Sequence, residues 1–78
     1  MRDKIPREEI EKWLNKLKKE LETTRAMNKK GKEFLDNINA YVYDCEHFLK
    51  NSDYILSFES ITWAWSYWSI GKDLRLLK

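Results

Sequence analysis

Residues 53–71 read DYILSFESITWAWSYWSIG, and this stretch decides the fold of the 78-residue chain. Its large apolar side chains repeat at the period of an α-helix and fall on two nearly opposite faces. The first face carries Tyr54, Phe58, Ile61, Trp65 and Trp68. The second face carries Leu56, Trp63, Tyr67 and Ile70. Because a helix that is apolar all round is normally buried all round, residues 53–71 are predicted to form a helix that needs apolar cover on more than one side.

Local signals mark both ends of this helix. Residues 51–53 read NSD, a turn in which Ser52 or Asp53 is expected to accept hydrogen bonds from the first free N–H groups of the helix. Gly71 is expected to end the helix, because glycine tolerates the left-handed conformation of a C-terminal cap. We expect the short apolar tail beyond it to fold back on the protein through its three leucines, Leu74, Leu76 and Leu77.

Two more amphipathic helices are predicted before it. The first covers residues 7–27, begins beside Pro6, and has one apolar stripe formed by Ile10, Trp13, Leu14, Leu17 and Leu21. The second covers residues 33–50, with a stripe formed by Phe34, Ile38, Tyr41, Cys45 and Phe48. Gly31 favours a break between them, although one helix continuous through Gly31 stays open as an alternative. The chain is thus predicted to be one all-α domain over residues 1–78, an antiparallel three-helix bundle with a short apolar C-terminal tail.

Few residues are suited to catalysis or to metal binding. Cys45 and His47 are the only cysteine and the only histidine, so these two cannot supply an internal disulfide or the usual four-ligand zinc site. Cys45 lies on the apolar stripe, and His47 lies on the polar side near Asp44. With two isolated glycines there is no glycine-rich phosphate loop. We predict no catalytic, cofactor or metal site and expect that the protein is not an enzyme.

The first residues, Met1-Arg2-Asp3-Lys4, precede no apolar run. A secretory signal or a membrane span would need such a run. A single thiol fits a reducing compartment. We therefore expect a cytoplasmic protein.

The second face of the last helix suggests a function. Two partner helices and a short tail cover only part of a helix that is apolar all round. We therefore hypothesise that this face is a protein–protein interface, most simply of a homodimer, formed by Leu56, Trp63, Tyr67 and Ile70. The alternative is that the leucines of the tail and the first helix cover it.

A nucleic-acid-binding module is the second hypothesis. Basic residues surround Gly31, at Arg25, Lys29, Lys30 and Lys32, and crowd the first helix, at Lys12, Lys16, Lys18 and Lys19. Phosphate contacts need such a patch. Acidic residues are interspersed along the first helix, however, and no aromatic residues interleave with the basic ones as stacking platforms. This hypothesis predicts only weak binding.

One set of residues of helix-packing character spans the second half of the chain: Tyr41, Asp44, Phe48, Asp53, Tyr54, Phe58, Ile61, Ala64, Gly71 and Leu74. In this pattern the chain resembles a family of short archaeal proteins known as domain of unknown function 357. The resemblance covers residues 33–77 well and the first helix loosely. It implies a compact helical fold and an archaeal, cytoplasmic origin, and it supplies no activity.

The resemblance also implies a difference in the third helix. There the family pattern contains a His-Gly pair, an Asp and a later Arg. The matching positions in this chain are Trp65, Ser66, Ser69 and Asp73. Any site that those polar residues form in relatives is therefore expected to be lost or altered here.

Overall fold

Three helices form the protein in a computed structural model that describes residues 6–78. Helix α1 spans Arg7–Leu21, α2 spans Lys29–Lys50 and α3 spans Tyr54–Asp73. Consecutive helices run in opposite directions, so that α1 and α3 run the same way. The predicted all-α three-helix architecture is confirmed.

The core lies along the line where the three helices meet. It is formed by part of the predicted stripes of α1 and α2, by Val42 and Leu49 beside the stripe of α2, by two residues of α3 and by one residue of the tail: Ile10, Leu14, Leu17, Ile38, Val42, Cys45, Leu49, Ile61, Ala64 and Leu77. Most of the packing is between α2 and α3. The short α1 covers one side of that pair.

Helix α1 ends at Leu21, six residues earlier than predicted. The side-chain hydroxyls of Thr23 and Thr24 donate to the backbone oxygen of Glu20 at 3.3 and 2.7 Å, respectively. Threonine side chains compete in this way for helix carbonyls. Residues 25–27 then belong to no helix, and Ala26 forms an isolated antiparallel bridge with Leu77.

Helix α2 begins at Lys29, four residues earlier than predicted, and Gly31 lies in its first turn rather than in a break. Asn28 caps the helix, since its side-chain oxygen accepts the N–H of Gly31 at 2.8 Å. The break lies before Asn28, so α1 and α2 are separate helices. Glycine is needed at position 31 because a Cβ there would collide with the backbone oxygen of Leu76.

Helix α3 continues past Gly71 to Asp73, so the prediction that Gly71 caps it is wrong. The left-handed residue is Arg75, with φ of 60°. Arg75 donates its N–H to the oxygen of Lys72 at 3.1 Å, and Leu76 donates to the oxygen of Gly71 at 2.8 Å. These two bonds form a Schellman motif. Gly71 instead leaves room for the side chain of Leu77, whose Cδ1 would lie 2.6 Å from a Cβ at position 71.

The C-terminal tail folds back on the bundle as predicted. Leu77 is buried, although Leu74 remains exposed. Arg25 donates its N–H to the oxygen of Lys78 and accepts the N–H of Lys78, both at 2.8 Å, and Met27 donates to Leu76 at 2.9 Å. We call this pairing of residues 25–27 with residues 76–78 the tail clamp. It joins the α1–α2 connection to the end of the described chain.

Candidate functional site

The second apolar face of α3 divides into an exposed part and a covered part. Leu56, Trp63 and Ile70 expose 39%, 53% and 49% of their surface, respectively. They are spaced seven residues apart and therefore lie on one side of the helix. We call these three residues the outer stripe. Tyr67, which was predicted to belong to the same surface, is only partly exposed because it packs against the core.

Aromatic residues of α2 support this face. The ring of Tyr41 stacks on Trp63 with centroids 6.4 Å apart and on Tyr67 at 5.7 Å. Phe34 meets Tyr67 edge to face at 5.4 Å. The cover over Tyr67 therefore includes α2, whereas the alternative to the interface hypothesis named only the leucines of the tail and the first helix. The indole of Trp63 is held against Tyr41 while half of its surface stays in solvent.

The first face of α3 is covered largely by α1. The indole N–H of Trp65 donates to the backbone oxygen of Trp13 at 3.1 Å, and the two rings meet edge to face at 5.9 Å. The indole N–H of Trp68 donates to the hydroxyl of Thr24 at 3.0 Å. Between α1 and α3 lies a cleft of about 330 Å³, lined by Trp13, Phe58, Ile61, Thr62, Trp65 and Ser66.

The hydroxyls in this cleft are engaged within α3. Thr62 donates to the backbone oxygen of Phe58, and Ser66 donates to that of Thr62, both at 2.9 Å. The indole N–H groups of the facing α1 and α3 tryptophans are also bonded to protein, that of Trp13 to Glu9 at 3.3 Å. The cleft therefore presents mainly apolar surface and few free donors to a ligand.

The side of α3 that faces α2 is lined by small residues. Ser57, Ala64 and Gly71 are buried and lie seven residues apart, with buried Ser60 beside them. Ser57 donates its hydroxyl hydrogen to the backbone oxygen of Cys45 at 2.8 Å. The periodicity of the large apolar residues did not identify Ser57, Ser60 and Ala64 as a packing surface. The spacing of seven was the signal that could have identified them as the contact surface for a closely packed helix.

The basic residues near Gly31 lie at one end of the bundle. Arg25 belongs to the tail clamp, where Lys78 is its backbone partner, and Lys29, Lys30 and Lys32 belong to the first turns of α2. Lys30 and Lys32 form exposed ion pairs with Glu33 and Asp36 at 3.5 and 3.3 Å. The structure therefore brings Lys78 of the tail to the predicted patch. The basic residues of α1 are balanced by acidic neighbours, since residues 7–24 contain five of each sign.

The residues considered for chemistry lie apart from any built site. Asp44 and His47 are exposed on α2, and His47 lines a surface depression with Tyr43, Glu46 and Lys50. Burial raises the pKa of the Cys45 thiol, and a hydrogen bond with Ser57 partly opposes this rise. The thiol therefore stays protonated at neutral pH. Within residues 6–78, no three His, Cys, Asp or Glu side chains come together in a way that could hold a metal ion.

These features define a small helical module whose most unusual surface is a half-exposed apolar stripe. The chain belongs to the DUF357 family, described as proteins of unknown function, whose sequence profile matches residues 9–77. The crystal structure of protein AF1782 from Archaeoglobus fulgidus, also of this family, matches the fold with a TM-score of 0.84. The two chains are 30% identical, and the match covers 92% of this chain and 90% of the other. No functionally curated protein gives a significant match.

The predicted family is confirmed, and the archaeal neighbour is in keeping with the archaeal origin that the resemblance implied. None of the helices over the described residues has the length and apolar character needed to span a bilayer.

Proposed function

We propose that the protein is an interaction module that self-associates through the exposed side of α3. The observation that carries this proposal is the half-exposure of the outer stripe on a helix surface nearly free of charge. Between Asp53 and Lys72, Glu59 is the only charged residue. Charge-poor apolar surface with central aromatic residues is typical of the core of protein–protein interfaces.

The size of this surface indicates a weak, reversible dimer. Leu74, which is 61% exposed, adds apolar surface just beyond the end of the outer stripe. Together the four side chains leave about 300–400 Å² of apolar area in solvent, a size at which an exposed patch on a monomer is often functional. A stable dimer usually buries about 800 Å² per partner, so polar neighbours must supply the rest.

Trp63 is suited to be the anchor of the interface. Tryptophan is among the residues that most often dominate binding energy. Here its ring is already stacked on Tyr41, which limits the conformational freedom that it can lose when a partner covers it.

Sedimentation equilibrium over a wide concentration range tests this proposal. The wild type should show a concentration-dependent dimer, and Trp63→Glu should be a folded monomer because it buries a charge only in the dimer. Tyr43→Glu is the matched control, since Tyr43 is 70% exposed on α2 and lies away from the stripe. It should dimerise like the wild type.

Circular dichroism and urea unfolding of the same variants distinguish the interface from a core. A Trp63→Glu chain that fails to fold would mean that this face is part of the core. Ile70→Glu is a second test of the interface. It adds a charge to the outer stripe but leaves the stacked Tyr41 and Trp63 rings in place. A wild type that is monomeric at all concentrations would exclude self-association.

Phosphate binding at the basic end is the second candidate. It is favoured by the tail clamp, which brings Lys78 beside Arg25 next to the lysines at the start of α2. Because neutralised phosphates release counterions, binding to a nucleic acid should weaken steeply with added salt. The apolar dimer should respond little, so measurements of both equilibria at two salt concentrations separate the two functions.

A further inference from the structure

We propose that the dimer is antiparallel, with a two-fold axis that passes close to Trp63. This inference rests on the proposed self-association through α3 and adds the orientation of the second copy. Its evidence is the position of the stripe on the helix and the distribution of charge along the bundle.

The outer stripe is symmetric about its middle residue. Trp63 lies at the centre of α3, which spans Tyr54–Asp73. Leu56 precedes it by seven residues, and Ile70 follows it by seven. A two-fold axis perpendicular to the helix at Trp63 therefore places Leu56 of one copy beside Ile70 of the other. Such an isologous contact uses the same surface twice, as closed dimers do.

The two ends of the bundle carry opposite charge. Gly31 of α2 lies against Leu76, and Cys45 lies 3.3 Å from Ser57, so the start of α2 is beside the end of α3. Residues 25–36 and 72–78, which form that end, contain seven Lys and Arg against three Asp and Glu, a net charge of +4. The rest of α2 and α3, residues 37–71, contains four acidic residues against Lys50, a net charge of −3, and all five charges lie within residues 44–59, toward the opposite end. One of the acidic residues, Glu46, is paired with Lys18 of α1.

The orientation follows from these charges. A parallel dimer would place the two basic ends together and Glu59 beside Glu59 of the second copy. An antiparallel dimer places the basic end of each copy, which includes Lys30 and Lys72, beside the half that carries Asp44 and Glu59 in the other. Complementary charges at the rim of an interface favour the matched orientation over the wrong one.

Cysteine cross-linking tests the orientation. Leu56→Cys and Ile70→Cys are made as separate variants, of which one carries an N-terminal tag that distinguishes its mass. In the antiparallel dimer, equivalent positions are separated by about 21 Å along the helices, too far for a disulfide, whereas positions 56 and 70 of different copies are adjacent. Only the mixture of the two variants should therefore form a disulfide-linked dimer on mild oxidation. The wild type is the control, because its Cys45 is fully buried.

Each outcome of the experiment decides the inference. Cross-linking only between positions 56 and 70 supports it, while cross-linking of each variant with itself would overturn it in favour of a parallel dimer and leave the proposed self-association intact. A dimer in sedimentation that forms no cross-link in any combination would place the interface elsewhere. Variants and wild type that all sediment as monomers would refute the proposed function and the inference together.

Discussion

The thiol of Cys45 lies between α2 and α3, 3.3 Å from the hydroxyl of Ser57 and out of contact with solvent. Burial raises its pKa because the thiolate would lose hydration there. The folded state therefore holds the thiol proton more tightly than the unfolded state does. The stabilisation from this difference is fully present below the pKa of the unfolded thiol and is lost as the pH rises through the higher folded pKa.

We accordingly expect the free energy of unfolding to fall faster with pH in the wild type than in Cys45→Ala, from about pH 8 upward. Urea unfolding of both proteins at several pH values measures the difference. Comparing the two proteins removes the contribution of every other ionisable group, because both proteins share them. Parallel curves would show that the thiol ionises as easily in the folded protein as in the unfolded chain.

At the scale of single residues, the outer stripe also shows what periodicity can and cannot predict. Helical spacing correctly placed Trp63 and Tyr67 on one side of α3. Helical spacing could not show that Phe34 and Tyr41 cover Tyr67, because this contact depends on how closely α2 packs against α3. The predicted interface residues therefore differ in exposure for a reason that lies in another helix.

At the scale of the helices, the small residues of α3 let α2 approach closely. Ala64 is fully buried at the centre of this contact. Enlarging it should push the helices apart, and overpacking of a core typically costs about 1–3 kcal/mol. We expect Ala64→Leu to lower the free energy of unfolding by about 1 kcal/mol or more, as measured by urea unfolding.

Thr62→Leu is the matched control for this substitution. Thr62 lies two residues earlier on the same helix, is exposed and borders the open cleft between α1 and α3, so a leucine there displaces no packed helix. Its effect should stay within about 0.5 kcal/mol, as for most surface substitutions. Equal losses in the two variants would mean that leucine perturbs α3 itself rather than its packing.

The existence of all three helices followed from the spacing of apolar residues, and their ends did not. Gly31 and Gly71 were both interpreted as helix breakers, and both lie within helices. Each is glycine because the tail passes close to it, through the backbone at Leu76 and the side chain of Leu77. Local propensity cannot distinguish a glycine that is required by contact with another segment from a glycine that caps a helix.

At the scale of the whole molecule, the tail clamp ties the α1–α2 connection to the C-terminal tail. Gly31→Ala tests this connection, since alanine favours a helix by about 1 kcal/mol over glycine and would stabilise α2 if nothing else changed. Because the Cβ would collide with the backbone oxygen of Leu76, we expect instead a loss of about 2 kcal/mol or more, as the tail is displaced and Leu77 leaves the core. Urea unfolding measures the change.

Two controls isolate the cause of this loss. Asn37→Ala, at an exposed position of the same helix, should be neutral or slightly stabilising. In a chain that lacks residues 76–78 the collision cannot occur, so Gly31→Ala should there be neutral or stabilising. A loss of stability that persists in the shortened chain would show that the glycine serves α2 itself.

The tail clamp also has a consequence for hydrogen exchange. The amides of Arg25 and Met27 lie outside any helix, yet they donate to Lys78 and Leu76 of the tail. Their protection against exchange with deuterated solvent therefore depends on the tail staying docked. Amides of this kind open in local steps that need less free energy than global unfolding. Their exchange rates would report how often the bundle releases its tail while all three helices remain folded.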